Sequence, residues 1–173
     1  YERIGENIYG EDDEMPEEKV AYLLKSRNLT ISTAESCTSG LLAYRLTNVP
    51  GSSQYFLGGM NTYSNEAKIS LLGVSEDTIK NHGAVSEKCA KQMANKCREK
   101  FKSQIAVSIT GIAGPDGGTP EKPVGLVYTA IDVNGETKTF ENYFAGARDI
   151  IRARAVQTAL FELYRLLKVQ GHK

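Results

Sequence analysis

LTISTAESCTSGLLAYRL, residues 29–46, is the stretch on which the fold turns. Its first six residues, Leu29-Thr30-Ile31-Ser32-Thr33-Ala34, alternate and are rich in β-branched side chains, which suit a pleated surface and predict a strand. Leu41 to Leu46 predict an apolar helix, and only Glu35 to Gly40 lie between the two. A strand that turns at once into a helix is the repeating unit of an α/β protein. A residue at that junction is held at the carboxyl edge of the sheet, where ligand crevices form. Ser36 occupies the junction.

Upstream, Val20, Leu23 and Leu24 recur at helical spacing from Glu17, behind a proline tolerated in a first turn, and predict a helix to about Asn28. Tyr1 to Pro16 has little apolar periodicity and carries the acidic cluster Glu11-Asp12-Asp13-Glu14, so residues 1–16 are expected to be a linker and 17–173 one domain. Downstream, Pro50 to Ser53 signals a loop, Tyr55 to Tyr63 reads as extended, and Asn65 begins a short helix ending near Gly73. A helix is expected after Ser86, with Ala90, Met93, Ala94 and Cys97 on one face. Ile105 to Thr110 is the continuous apolar run of a strand buried on both faces. Val124 to Val133 and Glu136 to Tyr143 flank Asn134-Gly135, a strong hairpin signal, and the last helix is expected over about Asp149 to Val169. Helices interleaved with strands, plus a hairpin, indicate a mixed sheet covered on both faces.

Composition removes several function classes. Twenty-one basic residues balance twenty-one acidic ones, so extended nucleic-acid binding loses its main electrostatic term. The longest apolar runs reach about half of the ~20 residues a membrane-spanning helix needs, and no charged-then-apolar leader opens the chain. Cys37, Cys89 and Cys97 cannot all pair within one chain and lack zinc-site spacing, which suits a reducing, cytoplasmic setting. The chain opens with Tyr1, and a piece of a longer protein is expected.

Histidine occurs only at His82 and His172. A serine–histidine–carboxylate triad would have to use His82, which precedes Gly83 and reads as a loop or helix-end residue; a zinc hydrolase would lack most of its usual imidazoles. Ser36 is therefore the leading nucleophile, with the following turn's N–H groups expected to face outward, unpaired, toward an oxyanion or a phosphate. The competing reading is that Ser36 or Thr38 merely caps the helix. Cys37 is a rival nucleophile, since a helix N-terminus lowers a thiol's pKa. Without histidine, the activating base must be a lysine, tyrosine or carboxylate, and Lys68, in Asn61-Thr62-Tyr63-Ser64-Asn65-Glu66-Ala67-Lys68, leads because a desolvated lysine serves at neutral pH. Gly111 to Gly118 follows a buried strand and offers backbone to a ligand, but it matches neither standard nucleotide fingerprint. Arg148 and Arg152, at the start of the final helix, are candidates for phosphate or simply for the surface.

Thr33-Ala34-Glu35-Ser36-Cys37-Thr38-Ser39-Gly40 resembles the T-A-E-S-C-T-G-G block of the CinA C-terminal domain family, which also occurs alone as the PncC-type nicotinamide mononucleotide deamidase. Thr62 to Lys68 resembles the family's T-Y-S-N-E-A-K. Two further blocks agree: His82-Gly83-Ala84-Val85-Ser86-Glu87, and Gly111 to Gly118 with the later Lys122-Pro123-Val124-Gly125. Ile8-Tyr9-Gly10-Glu11-Asp12 is similar to the segment that joins this domain to an N-terminal domain in full-length CinA proteins. The resemblance implies a three-layer α/β/α sandwich with a mixed, mostly parallel sheet. It implies a serine amidohydrolase that turns nicotinamide mononucleotide into nicotinate mononucleotide and ammonia, with no metal and no cofactor. By matched position Ser36 is the nucleophile, Lys68 its base and Tyr63 the group that relays or orients the proton. Cys37, Thr38, Gly40, Asn65, Thr110, Gly111, Gly114, Gly117 and Arg148 are the expected substrate contacts, Arg148 toward phosphate or carboxylate. A homodimer, tethered to an N-terminal domain, is expected by analogy. The alternative is a non-catalytic nucleotide-binding or regulatory domain of a full-length competence/damage-inducible protein. Ser39 departs from the family's glycine, and its added side chain is expected to narrow the pocket if the backbone there has positive φ.

Overall fold

A computed structural model describes residues 15–169. The lead-in before Met15, with its acidic cluster and the Ile8 to Asp12 resemblance, lies outside the described residues, as does His172. Central strand β1 (Ile31–Glu35) has β2 (Phe56–Asn61) on one side and β3 (Ile105–Gly111) on the other, both parallel to it. β4 (Leu126–Val133) runs antiparallel to β3, and β5 (Glu136–Tyr143) antiparallel to β4, giving the order β2-β1-β3-β4-β5. The sheet is mixed, as expected, with β2, β1, β3 and β5 running one way and β4 the other. Two of its four pairings are antiparallel, because the hairpin turning at Asn134-Gly135 adds two strands beyond the parallel part.

The helices are α1 (Pro16–Ser26), α2 (Leu41–Thr47), α3 (Asn65–Ala67), α4 (Glu76–His82), α5 (Glu87–Phe101) and α6 (Arg148–Val169). α1 begins at Pro16, so the last residue expected in the linker is already helical. Ser86 caps α5 as its sequence suggests, its hydroxyl accepting the Cys89 N–H at 3.2 Å. The α4 helix had no periodic signal; Ser75 caps it by accepting the Thr78 N–H at 3.1 Å.

The two faces of the sheet differ in side-chain size. Ile31, Ile105, Val107, Ile109, Val127 and Ile131 pack with Leu24 of α1, Leu42 of α2 and Leu160 of α6. The other face is built from small groups: Ala34 and Ala106 meet Cys89, Met93 and Cys97 of α5, while Ala130 meets Ala90 and Ala94. Ser108, also buried in β3, donates its hydroxyl to the Ala90 carbonyl of α5 at 2.6 Å. Helices on both faces of the sheet make the expected three layers, and α5 lies close to the end of β1 from which Ser36 projects.

Candidate active site

β1 ends on Glu35, whose carboxylate is almost fully buried. It accepts the N–H groups of Gly40 (3.1 Å), Leu42 (3.0 Å) and Ala43 (2.9 Å), the donors that the start of α2 would otherwise leave unpaired. The expectation of an open row of turn N–H groups is corrected accordingly. Ser36 N–H donates to the Ile109 carbonyl and Ser39 N–H to that of Ser36, while the N–H groups of Cys37 and Thr38 donate to no oxygen among the described residues. Neither Ser36 nor Thr38 caps the helix. Gly40 is the N-cap residue, at φ +90°, and the carboxylate of Glu35 does the capping from the strand.

Lys68 arrives from the other side of β1. The Ser64 hydroxyl accepts the Ala67 N–H at 3.0 Å to start α3, the helix widens into a π turn over Lys68–Leu72, and Gly73 ends it at φ +90°. The Lys68 side chain is 1 % exposed. Its Nζ lies 3.0 Å from Ser36 Oγ, 2.8 Å from the Thr62 carbonyl and 3.3 Å from the Tyr63 carbonyl. No carboxylate lies within ion-pair distance among the described residues. Burial lowers its pKa from the usual 10.5. In the neutral amine, two N–H bonds serve the two carbonyls and the lone pair faces the serine hydroxyl, which is the arrangement a general base needs.

The rival nucleophile is disarmed by its surroundings. Burial pushes the Cys37 thiol up to about 11, so it is protonated at neutral pH. All three cysteines are buried and free. Tyr63 enters the site through its carbonyl; its exposed phenol accepts a hydrogen bond from Arg148 Nη2 at 2.8 Å and has none to Ser36 or Lys68. Arg148 Nη1 donates to the Gly114 carbonyl at 2.8 Å, so this guanidinium joins the Tyr63 segment to the glycine loop.

A cavity of about 240 Å³ opens between these elements. Ser36, Cys37, Tyr63, Lys68 and Arg148 line it, together with Thr110, Gly111, Gly114 and Gly117. Thr38, Gly40 and Asn65 do not. Thr38 is buried with its carbonyl turned to Arg152 (2.8 Å), Gly40 is engaged at the start of α2, and Asn65 is exposed on α3. Ser39 does sit at positive φ, +49°, but its side chain is exposed and does not line the cavity, so the expected narrowing does not occur there. The glycine loop, expected as a whole to line the site, also contributes Ile112, Ala113 and Asp116, whereas residue-by-residue reading missed Ala84 and Val85 in the lining and the carboxylate of Glu35. The available signal for Glu35 was a lone carboxylate closing an otherwise uncharged buried strand. Among the described residues no group of three or more His, Cys, Asp or Glu side chains is placed to hold a metal ion. No described helix is long and apolar enough to cross a membrane.

Residues 13–167 match the family model of the CinA C-terminal domain. The chain belongs to the CinA C-terminal domain family. A competence-damage inducible protein of Moorella thermoacetica is 50% identical over 169 residues, 98% of this chain and 41% of that protein. A CinA-like protein of Thermotoga maritima is 49% identical over 168 residues, 96% of this chain and 41% of its own length. The chain thus spans about two fifths of the curated CinA relatives it matches. Among solved structures, the competence/damage inducible protein CihA of Agrobacterium tumefaciens superimposes with a TM-score of 0.83 at 42% identity, covering 88% of this chain and 95% of that one. A CinA superfamily protein of Escherichia coli gives 0.85 at 33% identity, covering 94% and 98%.

Proposed function

We propose that this CinA domain hydrolyses the carboxamide of nicotinamide mononucleotide, releasing ammonia and nicotinate mononucleotide, with Ser36 as nucleophile and Lys68 as base. One observation carries the reading: a buried lysine with no counter-ion among the described residues, its amine 3.0 Å from a serine hydroxyl at the end of the central strand. Ser36 Oγ attacks the amide carbon as its proton passes to the Lys68 amine. The N–H group of Cys37, which lines the cavity and donates to no oxygen among the described residues, is the donor available to the oxyanion. The Lys68 ammonium returns the proton to the departing nitrogen, the C–N bond breaks, and ammonia leaves an ester on Ser36. Water then attacks the ester, giving its proton to Lys68, and Ser36 recovers a proton as the carboxylate forms. Arg148, at the cavity, is the group suited to the substrate's phosphate. Tyr63 steers that guanidinium through its phenol and, through its carbonyl, the Lys68 amine.

Ammonia release from the mononucleotide, measured with a chelator present, tests this. Wild type is expected to turn over, and Ser36→Ala and Lys68→Ala to lose at least roughly a thousandfold in rate while staying folded. Folded wild type that releases no ammonia would overturn the reading, and activity abolished by the chelator would overturn its metal-free chemistry. The length of the relatives favours a second reading, a nucleotide-binding or regulatory domain of a longer protein. It requires tight mononucleotide binding without turnover, unchanged in Ser36→Ala.

A further inference from the structure

Two sequence blocks have no part in the reaction above: His82 to Glu87, between α4 and α5, and Lys122 to Gly125, which returns from the glycine loop to β4. In the folded chain they meet at a single ammonium group. Lys122 Nζ donates to the carbonyl oxygens of His82 and Val85, each at 2.7 Å. The carbonyl of Ala84, between them, accepts the Thr110 hydroxyl at 2.8 Å. Side chains from the end of β3 and from the loop beyond it therefore hold three carbonyls of a four-residue stretch. Lys122 is itself presented by a tight turn, in which Thr119 N–H donates to the Lys122 carbonyl (2.8 Å) and Lys122 N–H to the Thr119 hydroxyl (3.1 Å).

Gly83 is what allows the approach. It sits at φ +78°, where side chains are disfavoured, and a Cβ there would lie 3.0 Å from Lys122 Nζ. The stretch so pinned supplies Ala84 and Val85 to the cavity wall, next to Thr110 and in the same cavity as Ser36.

We propose that Lys122 is a positioning residue for the amide site: by gripping the His82 and Val85 carbonyls it fixes the Ala84-Val85 wall, and so sets how a flat substrate ring lies relative to Ser36. Its kinetic half rests on the deamidase reading; its structural half does not. An ammonium suits the task because it has several N–H bonds on one atom and so satisfies two carbonyls from a single point. A methionine of similar length fills the space and leaves both carbonyls unpaired.

The test compares wild type with Lys122→Met, Lys122→Arg, Gly83→Ala and the double variant Gly83→Ala/Lys122→Met. Amide hydrogen exchange over residues 82–86 is followed in the free protein, and ammonia release from nicotinamide mononucleotide gives kcat/KM. Lys122→Met is expected to speed exchange in that stretch and to lower kcat/KM by roughly ten- to hundredfold, with the pH profile unshifted because Lys68 is untouched. Gly83→Ala is expected to do the same, the double variant to be no worse than either single one, and Lys122→Arg to recover most of the loss. Additive effects of the two single substitutions, or unchanged exchange in Lys122→Met, would overturn the proposal. If Lys122→Met does not fold, Gly83→Ala and Lys122→Arg decide it by the same two readouts. If wild type releases no ammonia, the deamidase reading falls alone, and exchange still decides whether Lys122 holds the wall.

Discussion

Lys68 takes two backbone carbonyls and one hydroxyl as its partners, with no carboxylate among the described residues to hold its charge. Its pKa is lowered by burial, so between that lowered value and 10.5 the unfolded chain binds a proton that the folded protein has given up. Stability from this group therefore rises with pH across that interval, and the cost of burying the ammonium is full below it. Urea unfolding of wild type and Lys68→Met should show the difference between them moving toward wild type as pH rises, by at most about 1.4 kcal/mol per unit. A difference that stays flat would mean that Lys68 titrates as it does in water. The Ser36–Lys68 pair was legible in the sequence because the near-absence of histidine left few bases. Tyr63 entered through the family resemblance, which implies a group that relays or orients the proton, and its geometry was not legible: its carbonyl is what touches the amine. Which end of a side chain faces a site depends on tertiary partners, here Arg148, eighty-five positions away.

At the scale of elements, α5 depends on the small residues beneath it. Ala34, Ala106 and Ala130 lie under its buried face, and the Ser108 hydroxyl bonds directly to its backbone. Ala106→Leu should force this layer away from the sheet and destabilise the fold by about 1–3 kcal/mol, read as a drop of several degrees in Tm. An unchanged Tm would show that α5 yields without loss. The longer elements were legible because their periodicity extends over several turns or a whole strand, as in α5, α6 and the β4–β5 hairpin. The seven-residue α4 and the π turn at Lys68 were not. One or two helical turns carry too little pattern to be read, and π geometry comes from packing rather than from any local code. Glu35 escaped for a related reason: a carboxylate five to eight positions ahead of the N–H groups it caps matches no short-range capping rule.

Over the whole molecule the charges cancel, twenty-one against twenty-one, so no long-range field draws an anion toward the cavity and local groups must do so. Ionisable side chains that line it include Lys68, Arg148 and Asp116. The start of α2, which in many nucleotide-binding α/β proteins would receive an anion, is already stoppered by Glu35. That stopper bears on the end of the proposed catalytic cycle. In the proposed reaction a neutral carboxamide becomes a carboxylate beside Ser36, where the helix end has a carboxylate of its own and burial lowers the pKa of Lys68. The product should therefore dissociate readily, and nicotinate mononucleotide should inhibit with a Ki no lower than the KM for the amide. A Ki far below KM would mean that the new charge finds a partner in the cavity after all. On this view Glu35, which takes no part in the bond cleavage, favours release of the acid over its retention and leaves the site free for the next turnover.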